Sequence, residues 1–411
     1  MPAAPAFSLD LAVDRAAAEA FAAADLPTAE EEAWRYSRID ELDLGRFTPA
    51  PLEAPAGEIH PAAAAILALA EGVGSIGLVT VDGRLAHRVE LGGPAQGLEV
   101  GHAASGATAP QPAPDAFVTL NQAYASPIVL RVAPGATVGP VVIVHWVSGE
   151  GVAAFPQVVL EAGADSEVAV LEFTASPEDV ESLVVPVTRL EVGKAARVGH
   201  IGVQLLGQRA WQVGYLDAAV DAEATLTASA AGLGGSYARL RTDCRLVGRG
   251  ATGNLRALWF GEADQTLDFR TFQEHAAPDT VSDLVYKGAV GGRSRSVYTG
   301  LIQVDENARG TDARQTNRNL KLSEDAWAES VPNLEIRNND VRCAHASAVG
   351  PIDEEQLWYV ESRGVPTNIA ERLIVAGFFE EIAGTLPIPE AAPPLRAAIE
   401  EKLDRSGLAG A

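Results

Sequence analysis

Cys343 and His345 are the two side chains of this 411-residue chain whose types and spacing best fit metal binding. They stand two residues apart, so on an extended strand both project to the same face. Thiolate sulfur and imidazole nitrogen are ligands that suit iron or zinc. A closed zinc site uses four protein ligands and a catalytic one three. The remaining ligands of any metal here would therefore come from elsewhere in the fold or from a partner chain.

The same residue types also have structural interpretations, which remain open at this point. A lone cysteine is most often a small buried side chain, and a lone histidine is most often a hydrogen-bonded structural residue. His275 could act as an acid, a base or a metal ligand, because an ordinary histidine has a pKa of about 6.5. A structural position at a turn suits His275 equally well. Carboxylates near successive turns would allow a β-helix polysaccharide lyase or hydrolase, which needs paired acids; they are Asp305, Glu306, Asp312 and Asp340.

Charge and cysteine content exclude several classes of protein. The formal charge is -24, from 31 basic and 55 acidic residues, which disfavours binding to nucleic acid or to an anionic membrane surface. The two cysteines, Cys244 and Cys343, are too few and too far apart for a disulfide framework, which favours a reducing compartment. The N-terminus lacks the pattern of a signal peptide, and no apolar run approaches the ~20 residues of a membrane helix. We therefore expect a cytoplasmic protein.

A near-constant spacing of turn residues governs the middle of the chain. The steps between them are 28 to 31 residues; the turn residues are Gly135, Gly163, Gly193, Asp221, Gly250, Asp279 and Gly310. In five of the units an apolar residue follows five positions later: Val168, Val198, Leu226, Leu255 and Leu284. A period of this length in β-rich sequence predicts a β-solenoid. An antiparallel sandwich with regular turns is the alternative.

Helical patterns flank the repeats on both sides. Residues 8–45 and 61–71 have helical patterns, and a strand with an Asp-Gly turn follows at 76–84. After Gly350, acids in a first turn and apolar spacing over 367–383 and 395–403 predict helices that close the end of the solenoid. The predicted division is therefore an N-terminal helical or mixed region (1–115), a β-helix core (116–349) and a C-terminal helical domain (350–411).

Five blocks of sequence together resemble the SufB/SufD family of iron–sulfur cluster assembly proteins. They span 275–288, 311–322, 334–340, 343–350 and 357–364, and the run Thr-Asp-Ala-Arg-Gln-Thr-Asn-Arg-Asn-Leu at 311–320 is the most specific. The Cys-Ala-His-Ala of 343–346 is similar to the Cys-Ser-His-Gly of SufD, with alanines where the family has serine and glycine. Trp34-Arg35-Tyr36 resembles a motif of SufD N-terminal regions.

The resemblance implies a right-handed parallel β-helix between helical regions, and a role as a scaffold rather than an enzyme. It implies a SufD-like subunit of a SufBCD complex, which pairs with a SufB-like chain through the β-helix end and docks a SufC-like ABC ATPase through the C-terminal helices. A transient Fe–S cluster or iron at the partner interface would use His345 and Cys343. A flavin in the complex and a homodimer of the isolated chain are compatible with the resemblance and are not readable from the residues. A SufB-type primary scaffold is the alternative within the family, although it would need more thiolates than two.

Overall fold

Two long β-sheets form the centre of the molecule in a computed structural model, which describes residues 7–55, 57–102 and 113–405. Sheet 1 has twelve strands: β1 (Thr48–Pro49), β4 (Leu98–His102), β5 (Ile128–Val132), β7 (Val152–Ala154), β8 (Gln157–Ala162), β10 (Ser182–Val184), β11 (Val187–Val192), β13 (Trp211–Val220), β15 (Tyr237–Leu246), β17 (Thr266–His275), β19 (Arg295–Val304) and β21 (Trp327–Ile336). Sheet 2 has ten: β2 (Ile76–Val81), β3 (Arg84–Glu90), β6 (Val141–Trp146), β9 (Glu167–Ala175), β12 (Arg197–Leu205), β14 (Thr225–Gly232), β16 (Thr252–Gly261), β18 (Val281–Val290), β20 (Asp312–Lys321) and β22 (Arg342–Gly350).

The chain alternates between the two sheets and so winds into a solenoid. From β5 onward each coil places one long strand in each sheet, and the short strands β7 and β10 add to sheet 1. The strands of successive coils pair in parallel over about eight turns. Among the described strands, antiparallel pairing occurs only at the start, between β2 and β3 and between β4 and β5. The predicted β-solenoid is confirmed. The division of the chain at residues 115 and 349 stays a prediction.

Alternating side chains of each strand fill the interior. In β20, Ala313, Gln315, Asn317 and Asn319 are buried, whereas Arg314 and Arg318 between them are exposed. Because parallel strands pair in register, equivalent residues of successive coils stack in rows, such as Leu255, Leu284, Gln315 and His345. The interior is mainly apolar through the early coils, where the buried polar residues include His145, Glu172 and His200, and it becomes more polar in the last ones. This stacking decides which side chains emerge at the end of the solenoid.

The predicted repeat is correct in period but mixes two positions of the coil. Residues with positive φ recur once per turn, at Gly135, Asp165, Ala195, Glu223, Gly250, Asp279 and Gly310. Four of the predicted turn residues occupy this left-handed position, whereas Gly163, Gly193 and Asp221 precede it by two residues. The five apolar residues are all buried in the interior, but Val168, Val198 and Leu226 stack in one row and Leu255 and Leu284 in the next.

Most of the N-terminal region covers the outer face of sheet 1, whereas its second helix packs against β6 of sheet 2. It contains α1 (Arg15–Ala23), α2 (Pro61–Ala68), α3 (Ala116–Tyr124) and four short 3-10 turns, and its Phe21, Trp34 and Phe117 pack with Trp211 and Tyr237 of the sheet. The predicted helix through 28–45 is wrong, because this segment has only single 3-10 turns. Its backbone carbonyls are bound instead by arginines of the sheet, Arg239 and Arg270.

The C-terminal region contains α4 (Glu354–Glu361), α5 (Thr367–Ala383) and α6 (Ala392–Arg405). Helices α5 and α6 cover the outer face of sheet 2, and α4 packs on α5. Phe379 of α5 and Leu395 and Leu403 of α6 belong to the same cluster as Phe173 and Phe260. The prediction that helical regions flank the solenoid on both sides is confirmed, and the C-terminal helices pack on the outer face of sheet 2 and leave the interior side chains of the last coil exposed. Within the described residues, no helix combines the length and the apolar character that spanning a membrane requires.

Candidate functional site

The last coil of the solenoid leaves its end open. β21 and β22 are the outermost strands of their sheets, so each presents an edge whose backbone groups have no neighbouring strand. Side chains that would be interior in any earlier coil are exposed here: Leu334 is 36% exposed, Ile336 43% and Val349 41%. The partners of Leu334 and Ile336 one coil back, Ile302 and Val304, are fully buried. The open end therefore consists of apolar core side chains bounded by two free strand edges.

Both predicted ligand residues lie on β22 at this open end. Cys343 pairs in register with Ala313 and His345 with Gln315. Ala313 and Gln315 point inward, so Cys343 and His345 share the inward face, as their spacing predicts. Cys343 is half-buried and packs against the small cluster that contains Ile302 and Ala313, whereas His345 is exposed. The structure brings the two residues to one face of an edge strand.

The electrostatics of Cys343 and His345 favour a ligand role only if further ligands come from a second molecule. Burial, and to a lesser degree the nearby Asp312 carboxylate, raises the pKa of the Cys343 thiol. The free chain therefore holds a protonated thiol at neutral pH, and metal binding would have to release that proton. In the described part of the chain, no group of three or more His, Cys, Asp or Glu side chains is placed to hold a metal ion. Two ligands at an open end match a site that is completed by a second molecule.

The other chemically reactive candidates lie in structural positions. His275 is fully buried, with Nδ1 2.7 Å from Thr280 Oγ1 and Nε2 2.9 Å from Ser282 Oγ. Burial lowers the pKa of His275 to about 4, so the ring is neutral and both nitrogens are occupied. Burial also raises the pKa of the Cys244 thiol to about 12, which makes that thiol inert at neutral pH. Neither residue reaches the open end.

The carboxylates proposed for a lyase or hydrolase stand at surface turns beside arginines. Asp305 lies 3.9 Å from Arg337, and Asp312 lies 3.3 Å from Arg314 and 4.0 Å from Arg342. These two carboxylates therefore take part in ion pairs with arginines at the surface, an ordinary structural role.

A second exposed surface lies on the C-terminal helices. Trp358 is 71% exposed, Tyr359 57%, Ile369 42% and Leu373 55%. A groove runs between α5 and the end of β22, lined by Leu373 and Phe378 on one side and by Val349 and Pro351 on the other. Large aromatic side chains seldom stay this exposed unless they meet a partner. This surface, which we call the helical surface, adjoins the open end of the solenoid.

A buried ionic cluster inside the early coils was not predicted from the sequence. The Glu172 carboxylate lies 3.1 Å from His145 Nε2 and 3.1 Å from His200 Nε2, and accepts a hydrogen bond from Thr188 Oγ1 at 3.0 Å. Burial alone would raise the pKa of Glu172, but the two histidines outweigh burial and lower it far below its usual range. Glu172, Thr188 and His200 also line a cavity of about 70 Å³. The residues of the cluster come from three different coils, so no local sequence motif indicates that they lie together.

Comparison with known proteins identifies the family. The core domain of the SufB and SufD proteins of the SUF system for FeS cluster assembly matches residues 145–378, which is more than half of the chain. The chain belongs to the SufB/SufD family. The match contains most of the solenoid, both ligand candidates and most of α5.

Individual relatives agree with the family assignment. The chain is 30% identical to the iron–sulfur cluster assembly protein SufD of Escherichia coli over 372 residues, 88% of this chain and 85% of that protein. It is 33% identical over 158 residues to SufD of Bacillus subtilis, which covers 38% of this chain and 36% of that protein. An iron–sulfur cluster assembly SufBD family protein of Mycobacterium tuberculosis H37Rv is 42% identical over 180 residues. That match covers 42% of this chain and 45% of the relative, less than half of either.

Proposed function

We propose that this protein is a SufD-like scaffold subunit of a SufBCD complex, in which iron–sulfur clusters are assembled. The observation that carries this proposal is the open end of the solenoid, where Cys343 and His345 stand on an edge strand with no third ligand nearby among the described residues. In this role the chain performs no reaction of its own and works in the cytoplasm.

Pairing with a SufB-like chain through the open end would cover the free strand edges and the apolar side chains that the last coil leaves exposed. A partner strand could extend either sheet through the free edges of β21 and β22, as in other β-strand additions. Leu334, Ile336 and Val349 would then become core residues again, which supplies the apolar driving force for association. The same edges would allow two copies of the isolated chain to pair when the SufB-like chain is absent.

Docking of a SufC-like ATPase is assigned to the helical surface. The exposed Trp358 and Tyr359 have the residue types that dominate binding energy at interfaces, and Leu373 extends the surface into the groove beside β22. Because this groove contacts the last strand of the solenoid, a movement of α5 driven by the ATPase would reach the open end over a short path. ATP hydrolysis would thus be supplied by the partner.

The nascent cluster, or the iron that enters it, is the cargo of the complex rather than a resident cofactor. His345 would donate an imidazole nitrogen to it, and Cys343 a thiolate after loss of its proton. The SufB-like chain would contribute the other ligands. The His345→Ala variant is then expected to pair with its partners normally and to form clusters poorly.

Co-purification tests the pairing directly. The chain is expressed with its SufB-like and SufC-like partners, and the composition of the complex is measured by size-exclusion chromatography with light scattering. Trp358→Ala is expected to lose the ATPase and retain the SufB-like chain, because only the helical surface is altered. Val13→Ala, at an exposed residue of the N-terminal region, is the matched control and should retain both. A wild-type chain that remains separate from both partners would overturn the proposal.

A further inference from the structure

Tyr36 has a strained backbone that the surrounding structure enforces. Its φ is 66°, in the left-handed region that residues other than glycine avoid. Arg239 Nη2 donates to the Ala33 carbonyl at 2.7 Å, and Arg270 Nη2 donates to the Arg35 carbonyl at 2.5 Å. The peptides before Tyr36 are thus anchored to sheet 1, while 42% of Tyr36 itself stays exposed. Strain that displays an aromatic ring at the surface points to a function for the ring.

The ring of Tyr36 lies at the open end. Its centroid is 5.7 Å from that of Trp327, the first residue of the edge strand β21. Two guanidinium groups flank the rings: the Cζ atom of Arg35 is 5.3 Å from the centroid of Tyr36, and the Cζ atom of Arg295 is 6.0 Å from the centroid of Trp327. Arg35, Tyr36, Arg295 and Trp327 form one continuous patch, which we call the Tyr36 patch.

The charge of the Tyr36 patch is not neutralised within the chain. Neither Arg35 nor Arg295 has a carboxylate within ion-pair distance among the residues that the structure describes, although the whole chain carries a formal charge of -24. Nearby arginines at the same sheet are paired: Arg293 binds Asp264 and Arg241 binds Asp243. Two unpaired guanidinium groups in an acidic protein are complementary to carboxylates on another molecule.

We propose that the Tyr36 patch is a binding hot spot for the SufB-like chain, and that this partner presents carboxylates to Arg35 and Arg295. This inference rests on the proposed function and deepens it. A strand added to the free edge of β21 passes beside Trp327, so the patch is continuous with the surface already assigned to pairing. Tyrosine, tryptophan and arginine are the residue types enriched at hot spots. The N-terminal segment thereby contributes directly to an interface otherwise built by the solenoid.

Tyr36→Gly separates this role from a structural one. Glycine adopts a φ of 66° without strain, so the variant should unfold at the same or a higher temperature than the wild type. Its Kd for the SufB-like chain, measured by calorimetry, is expected to rise about tenfold or more. Leu52→Ala removes an exposed side chain just after β1, beside the first coils, and should leave the Kd unchanged.

Salt dependence tests the charge of the partner surface. Arg295→Gln is expected to reduce the slope of log Kd against log salt concentration, since it removes a screened interaction across the interface. A Tyr36→Gly variant that binds as tightly as the wild type overturns this inference and leaves the proposed function standing. A wild-type chain that does not bind the SufB-like chain at all overturns both.

Discussion

Replacing Asp268 by asparagine should destabilise the protein by about 3–5 kcal/mol, the cost of leaving buried charges without their partner. The carboxylate is fully buried and lies 2.8 Å from Arg239 Nη1 and 2.6 Å from Arg270 Nε, and it accepts a hydrogen bond from the Tyr237 hydroxyl at 3.0 Å. Burial alone would raise the pKa of Asp268, but the two guanidinium groups outweigh it and lower the pKa. Asp268→Asn keeps the shape of the side chain and removes this charge.

The loss of stability in Asp268→Asn should appear first in the N-terminal segment. Arg239 and Arg270 bind the carbonyls of Ala33 and Arg35, so guanidinium groups freed from Asp268 would release that segment from sheet 1. Trypsin is therefore expected to cleave the variant after Arg35 several-fold faster than the wild type. Urea unfolding at neutral pH measures the change in the free energy of unfolding, and a timed digestion measures the local release.

An exposed ion pair on the same sheet provides the matched control. Asp264 lies 2.6 Å from Arg293, and both side chains are largely exposed. Surface pairs of this kind contribute little, so Asp264→Asn should unfold like the wild type. If Asp268→Asn were as stable as Asp264→Asn and resisted trypsin equally, the buried carboxylate would not hold the N-terminal segment, and the reasoning would be refuted.

Three further predictions concern other buried titratable groups. Burial lowers the pKa of His275 in the folded protein to about 4, so as the pH falls the unfolded chain binds this proton before the folded protein does. The free energy of unfolding should therefore fall by about 3 kcal/mol as the pH drops from about 6.5 to 4. The variant His275→Gln should remove this part of the pH dependence of urea unfolding. Glu172→Gln should cost about 3 kcal/mol because two histidines lose a buried carboxylate, whereas Glu161→Gln, at an exposed ion pair, should change thermal unfolding little. Glu262→Gln should leave Lys402 buried without its carboxylate at 3.1 Å, and hydrogen exchange should then show α6 opening several-fold more often.

The sequence predicted the architecture because a solenoid repeats its own constraints. Each coil needs a turn and an inward apolar residue, so the period emerges even where individual residues vary. The sequence did not reveal which residue of each coil takes the left-handed turn position, since Asp165, Ala195 and Glu223 occupy the position that glycine takes in other coils. The spacing of turn residues instead predicts that position two residues earlier, at Gly163, Gly193 and Asp221. Periodicity thus fixes the length of a coil more reliably than the place of each residue within it.

Contacts between distant parts of the chain explain what the sequence did not reveal. The segment 28–45 has a helical composition, but Arg239 and Arg270 bind its carbonyls about 200 residues away and tertiary contacts override local propensity. Glu172, His145 and His200 meet because strands of three coils stack. By contrast, the sequence alone predicted that Cys343 and His345 lie together, because residues two positions apart on one strand share a face.

Anaerobic loading of the proposed SufBCD complex with ferrous iron and sulfide, comparing wild type with His345→Ala, tests the central claim most directly. The matched control is His87→Ala, at the opposite end of sheet 2 on β3. The visible absorbance of the Fe–S cluster and the iron retained per complex should fall severalfold in His345→Ala and remain at the wild-type level in His87→Ala, with all three complexes intact. Normal cluster formation by an intact His345→Ala complex would contradict a ligand role for the open end.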